Sequence, residues 1–114
     1  MTSRGIEGLF VETHNWGKAV KFFQALGYQL EFETDHHSGQ LRNADGPYVF
    51  VAEVPENQQT GLQVVIAVDD ASAFEVDPAI DVVTPFQPTH WGTQEMTVRD
   101  PDGRTWSLQA PAAP

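Results

Sequence analysis

The segment Arg99-Asp100-Pro101-Asp102-Gly103-Arg104 constrains this chain more than any other. Proline presets φ at the second position of a β-turn, aspartate suits the third, and glycine accepts the left-handed conformation at the fourth. On either side, Thr93 to Arg99 and Arg104 to Gln109 alternate in the manner of strands. Together they read as a closing hairpin whose loop carries a glycine bulge. Strand alternation then puts Met96 and Val98 in the core and turns Glu95 and Thr97 to the opposite face. By the same rule Trp106 and Leu108 belong to the core, with Thr105, Ser107 and Gln109 opposite.

At 114 residues the chain is expected to form a single domain, large enough for a core without disulfide or metal staples. It has no cysteine, which excludes disulfides, thiolate catalysis and zinc–thiolate sites. Met1 to Gly5 has no apolar leader segment, and no run approaches the roughly 20 apolar residues of a membrane span. A cytoplasmic protein is expected. Sixteen acidic residues against six basic ones give a net charge of −10. Such a surface repels phosphate backbones and anionic lipid, so neither nucleic acid nor membrane is an expected partner, and cations are attracted.

The chain divides near the polar, turn-rich stretch Pro55 to Gly61, giving one module over about 5–55 and another over about 61–111. In the first, Gly8 to Thr13 is a strand and Asn15 is a good N-cap. Trp16, Ala19, Val20, Phe22, Phe23 and Leu26 form a helical apolar stripe that Gly27 ends. Tyr28 to Thr34 alternates, with Leu30 and Phe32 on one face. A weak strand covers Gln40 to Asn43, and a strong one runs from Tyr48 to Val54. The second module starts with Leu62 to Val68. Asp69 or Asp70 caps a short helix through Ala71 to Glu75, limited by Pro78. Ile80 to Thr84 is a strand, a bend passes through Pro85 and Pro88, and the hairpin follows. The tail Ala110 to Pro114 is expected to fray.

The order βαβββ thus appears twice, the second time with a reduced helix. This order, Phe22-Phe23 followed by Leu26-Gly27-Tyr28, and the Trp91-Gly92…Asp100-Pro101-Asp102-Gly103 hairpin together resemble the vicinal oxygen chelate superfamily of glyoxalases, extradiol dioxygenases and bleomycin-resistance proteins. The resemblance covers roughly Gly5 to Pro111. It implies an α+β fold in which two βαβββ modules curl a mixed sheet around a cavity, and a homodimer. It leaves function open, because one fold hosts many chemistries.

Metalloenzymes of that superfamily carry four divalent-metal ligands on strands one, four, five and eight. The resemblance carries three of these positions onto Gly8 (or Glu7 with a one-residue slip), Gln63 and Ser107; strand four offers no ligand until Glu53 at its end, and only Gln63 is a respectable ligand. Glycine has no ligating side chain and serine is a poor ligand, so the expectation is no metal, no cofactor and no catalytic residue. His36 and His37 read as a loop pair, and His14 and His90 as residues at element ends. A substitute site from His14, His90 and Glu12 or Glu95 is the remaining metal reading. No serine-hydrolase elbow or phosphate-binding glycine loop is present.

If Gly8 faces the cavity, Phe10 and Glu12 face it too, while Leu9 and Val11 pack on the helix. The candidate ligand-binding set is Phe10, Glu12, Phe50, Gln63, Val65, Trp91, Glu95, Thr97 and Ser107. Its apolar, aromatic and acidic mixture suits a small, cationic aromatic molecule. The leading expectation is a homodimeric binding protein of the bleomycin-resistance kind that sequesters such a ligand. A metal-dependent lyase or dioxygenase with atypical ligands and a ligand-free scaffold are the alternatives.

Overall fold

A computed structural model describes residues 3–113. The fold is α+β with mixed strand pairing, and the chain forms two compact units, Gly8–Gln63 and Met1–Glu7 with Val64–Pro114.

The first unit contains β1 (Ile6–Thr13) from Gly8 onward, α1 (Trp16–Ala25), β2 (Gln29–Glu33), β3 (Ser38–Arg42) and β4 (Tyr48–Glu53). Its strands lie in the order β2-β3-β4-β1, antiparallel except for the parallel β1–β4 pair. The helix starts where the sequence says it should. Asn15 is extended, and its side chain accepts from the Lys18 amide at 3.0 Å. Glu53 Oε2 takes the Trp16 amide at 2.9 Å, satisfying another donor of the first turn. Gly27, at φ +97°, ends the helix in the left-handed conformation. Trp16, Ala19, Val20 and Phe23 pack with Leu9, Val11, Leu41, Val49 and Val51, so one face of the sheet is sealed by α1.

β2 departs from simple alternation. Leu30 pairs with Leu41, but Phe32 pairs with Gln40, because the register shifts between them. Paired residues share a face, so this bulge turns Phe32 to the side opposite Leu30 and away from the helix. The expectation that both faced the same way is corrected. Gly39 makes the crowding possible: a Cβ there would lie 2.5 Å from the Phe32 carbonyl oxygen and 2.8 Å from the Trp16 ring.

The second unit contains β5 (Leu62–Ala67) from Val64 onward, β6 (Asp81–Pro88), β7 (Thr93–Arg99) and β8 (Thr105–Pro111), ordered β5-β8-β7-β6 with β5 and β8 parallel. Val68, Met96, Leu108 and Ala110 form its buried cluster. Three expectations change here. The segment Ala71 to Glu75 is a turn followed by irregular chain, not a short helix. Asp70 Oδ1 does accept from the Ser72 amide at 3.0 Å, but no helix propagates from it. A nucleus with Pro78 close behind has too few residues to offset its own entropy. β6 runs through Pro85 and Pro88 instead of bending away. It is the end strand of this unit's order, with register shifts on either side of Thr84, and prolines are tolerated at such edges and bulges. Finally, β8 continues to Pro111 and buries Ala110, so that part of the tail is ordered by packing; Pro114 lies outside the described residues.

The closing hairpin forms as expected, and one carboxylate organises it. Gly103 adopts φ +88° and donates to the Asp100 carbonyl at 3.0 Å. Asp100 Oδ1 accepts from the amides of Asp102 and Arg104, and Oδ2 from Arg104 Nε and Trp106 Nε1, all at 2.9–3.0 Å. The Trp106 indole N–H, followed by the Arg104 side chain and the two amides, holds the Asp100 carboxyl well below the usual carboxylate range; partial desolvation opposes this. The unfolded chain therefore takes up this proton first as pH falls. The stabilisation is complete at neutral pH and disappears as pH drops below about 4 and onward through the lower folded value. Asp100→Asn is expected to be less stable than the parent at pH 7, with the gap closing in acid. Urea unfolding at a series of pH values checks this; a gap independent of pH would contradict it.

Candidate functional site

In the first unit the face opposite α1 carries a row of rings. Phe10 and Phe50 are register partners on β1 and β4, stacked with centroids 5.9 Å apart and planes 10° apart. Phe32, brought over by the β2 bulge, lies 6.2 Å from Phe50. Phe10 is 37% exposed and Phe32 49% exposed, so the row presents aromatic surface to solvent. Alternation along β1 pointed to Phe10, and Phe50 stood in the candidate set, but Phe32 was missed, because the sequence does not mark where a bulge inserts its extra residue.

Polar groups edge this row. Glu31 accepts from Gln40 Nε2 and Arg42 Nε, which together draw its pKa down, and the Arg42 guanidinium lies 5.8 Å over the Tyr48 ring. Glu12 is half-buried and ties down the linker. Its Oε1 accepts from the Gly61 amide at 2.9 Å and its Oε2 from Gln58 Nε2 at 3.4 Å, while its own amide donates to the Gly61 carbonyl. Its charge adjoins the aromatic row along β1, but it has a structural duty that strand alternation did not reveal. Gln63 is half-buried at the end of this unit.

The remaining candidates lie in the second unit. Val65, Ser107 and Thr97 stand side by side across β5, β8 and β7, confirming that Thr97 and Ser107 share a face. Val65 and Ser107 are buried, at 3% and 1% exposure. Ser107 Oγ donates to Glu95 Oε2 at 2.5 Å, and Gln109 Nε2 donates to the same oxygen at 3.1 Å. Gln109 Oε1 in turn accepts from Thr93 Oγ1 at 3.3 Å and from Trp91 Nε1 at 3.4 Å. Trp91 remains 54% exposed in the β6–β7 connection, its ring edge-to-face with His90. Met96 and Leu108 are core as expected. Trp106 is only half-buried.

The residues onto which the resemblance carried metal positions do not assemble a metal site. Gly8 offers no donor, and Tyr48 covers it: a Cβ on Gly8 would meet the Tyr48 ring at 2.6 Å. Ser107 gives its hydrogen to Glu95, and Glu53 is committed to the helix start. The histidines do not replace them. His14 Nε2 lies 2.7 Å from the Gln58 carbonyl, His36 pairs with Asp35, and His37 occupies a left-handed turn position. Among the described residues no three His, Asp or Glu side chains are grouped to hold an ion. No step through a metal is derived.

No protein family and no curated protein matches this sequence. Solved structures do match the fold. One is a glyoxalase/bleomycin resistance protein/dioxygenase superfamily member from Vibrio splendidus 12B01, at 18% identity and TM-score 0.69, covering 96% of this chain and 99% of that one. An NAD-dependent benzaldehyde dehydrogenase from Legionella pneumophila matches at 15% and 0.65, covering 90% and 98%. A protein from Staphylococcus aureus matches at 15% and 0.63, covering 97% and 99%. This chain has the glyoxalase/bleomycin-resistance fold, as the hairpin and helix motifs suggested. At such identities the likeness is one of fold alone.

Proposed function

We propose that this protein binds a flat aromatic small molecule on the Phe10–Phe50–Phe32 row and holds it without transforming it. The observation that carries the reading is the row itself: three rings on one sheet face, one of them delivered by a bulge, with two partly open to solvent. Stacked rings offer a large contact area and tolerate variation in the ligand's substituents. Glu12 beside the row and a net charge of −10 favour a cationic ligand. The Glu95–Ser107–Gln109 network and exposed Trp91 supply further polar and aromatic groups to the same function in this reading. Homodimeric assembly and a cytoplasmic setting complete it, both carried over from the superfamily resemblance and the cysteine-free, acidic composition. Among the described residues no helix is long and apolar enough to cross a membrane.

Sequestration requires affinity and not turnover, and the donor set at the superfamily's metal positions supports that. The test is a titration with aromatic cations, bleomycin among them, read by calorimetry. Saturable binding is expected for at least one, and Phe10→Ala with Phe50→Ala should weaken it about 10- to 100-fold, the loss of two stacking contacts. No saturable binding, or an unchanged affinity in the double variant, removes the aromatic row as the site.

A further inference from the structure

In the first unit α1 seals one face of the sheet, but among the described residues of the second no helix covers the corresponding face. The chain from Ala71 to Ile80 crosses it as two turns joined by irregular chain, with Phe74 packed against the buried cluster. Beneath that segment lies a groove of about 640 Å³. Ile66, Val98, Trp106 and Leu108, from three adjacent strands, form its floor, and Phe74 and Ile80 its walls. This groove explains why Trp106 is only half-buried. The indole sits where a helix would have covered it, with its N–H fixed on Asp100.

The charged groups at the rim are three carboxylates and one cation, Arg99, which is paired with Asp81. The carboxylates are Glu75, Asp77 and Asp100. The nearby cations are already engaged: Arg99 with Asp81, and Arg104 with Asp100 and Asp102. Among the described residues no cation pairs with Glu75 or Asp77. An apolar, indole-bearing floor of small-ligand size below two uncompensated carboxylates is complementary to one chemistry, an apolar body carrying a positive charge.

We infer that this groove is a second binding site, separate from the aromatic row, for an organic cation with an aromatic or apolar body. The body rests on Trp106, Leu108, Ile66 and Val98, and the charge lies at Glu75 and Asp77. Nothing in this requires the Phe10–Phe50–Phe32 row to bind a ligand.

Tetraphenylphosphonium and tetraphenylborate, alike in shape and opposite in charge, test the inference on the full chain. Calorimetry gives affinities, and the three tryptophan indole N–H resonances, assigned with Trp106→Phe, locate binding. Tetraphenylphosphonium is expected to shift the Trp106 resonance and to bind at least about tenfold more tightly than tetraphenylborate. Glu75→Gln with Asp77→Asn, both exposed, should leave the fold intact and remove most of that preference. Ala79→Trp, filling the groove, should abolish binding, whereas Phe10→Ala with Phe50→Ala should leave the Trp106 response unchanged. Equal affinity for the two ions overturns the inference, as does an unmoved Trp106 resonance. So does cation binding lost in the Phe10/Phe50 variant but kept in the Glu75/Asp77 variant, which assigns the cation to the aromatic row instead. Concentration-dependent self-association that protects Trp106 and excludes the probe also overturns it, since a second copy is then the occupant.

Discussion

Gly39→Val will destabilise the fold by about 3 kcal/mol or more, a large part of the 5–15 kcal/mol available to a domain of this size. A single added carbon would already lie 2.5 Å from the Phe32 carbonyl oxygen, 2.8 Å from the Trp16 ring and 3.1 Å from the Glu33 α-carbon. Two of those three contacts are backbone atoms of a paired strand, which cannot rotate aside as a side chain can. The third is a buried indole held at its far end, since Trp16 Nε1 donates to Glu33 Oε2 at 2.8 Å. Valine brings two further carbons into the same space. The strain falls on the β2 bulge that turns Phe32 to the aromatic row, so ligand binding should weaken with stability. Urea denaturation gives the measure: the midpoint should fall with little change in slope, and Gly39→Ala should lie between parent and valine. A Gly39→Val protein within about 1 kcal/mol of the parent would mean that Trp16 and β2 do not meet over this residue.

Leu41→Ala will cost about 2–5 kcal/mol by a different route, the loss of buried surface and the cavity left behind. Leu41 is fully buried at the centre of the helix-covered face, in one cluster with Trp16, Val49 and Val51. Its neighbours belong to a sheet and a capped helix, so they can close the void only in part. The internal control is Leu26→Ala. That leucine is 57% exposed just beyond α1 and should change stability by under about 1 kcal/mol. Leu41 and the phenylalanine row lie on opposite faces of this unit's strands, Leu41 on β3 and the rings on β1, β4 and β2. At temperatures where Leu41→Ala is folded, it should therefore bind an aromatic ligand nearly as well as the parent. Comparable losses of stability in the two leucine variants would show that burial does not distinguish these positions.

Much of the fold was legible in the residues. Asn15 and Gly27 bracketed the helix because a cap and a left-handed glycine are local requirements. Asp100 to Gly103 set the hairpin for the same reason. Alternation placed Met96 and Val98 in the core and turned Phe10 to the face opposite the helix, because the strand period does not depend on distant partners. It failed at Phe32, where an inserted bulge breaks the period, and at Ala110, where packing ordered a stretch that reads as a loose tail. It also failed at Ala71 to Glu75. A capping aspartate promised a helix there, but the segment lacks the length to propagate one. Of the candidate site, the ring pair on β1 and β4 was readable. The prior commitments of Glu12 to Gly61 and Gln58, and of Ser107 to Glu95, were not, since each partner is remote in sequence or on another strand.

By itself the sequence determined what is local. It set the turn at Asp100 to Gly103, the bounds of α1 and most strand faces. Those outcomes follow from backbone sterics and side-chain chemistry that a residue carries anywhere. Tertiary structure alone decided the rest: that Tyr48 lies over Gly8, that Phe32 joins Phe10 and Phe50, that Asp100 collects four donors, and that the segment Ala71 to Ile80 leaves Trp106 at the floor of a groove edged by Glu75 and Asp77. Each depends on which strands lie side by side and in what register, and pairing between distant segments is set by the packing of the whole rather than by any one stretch of chain.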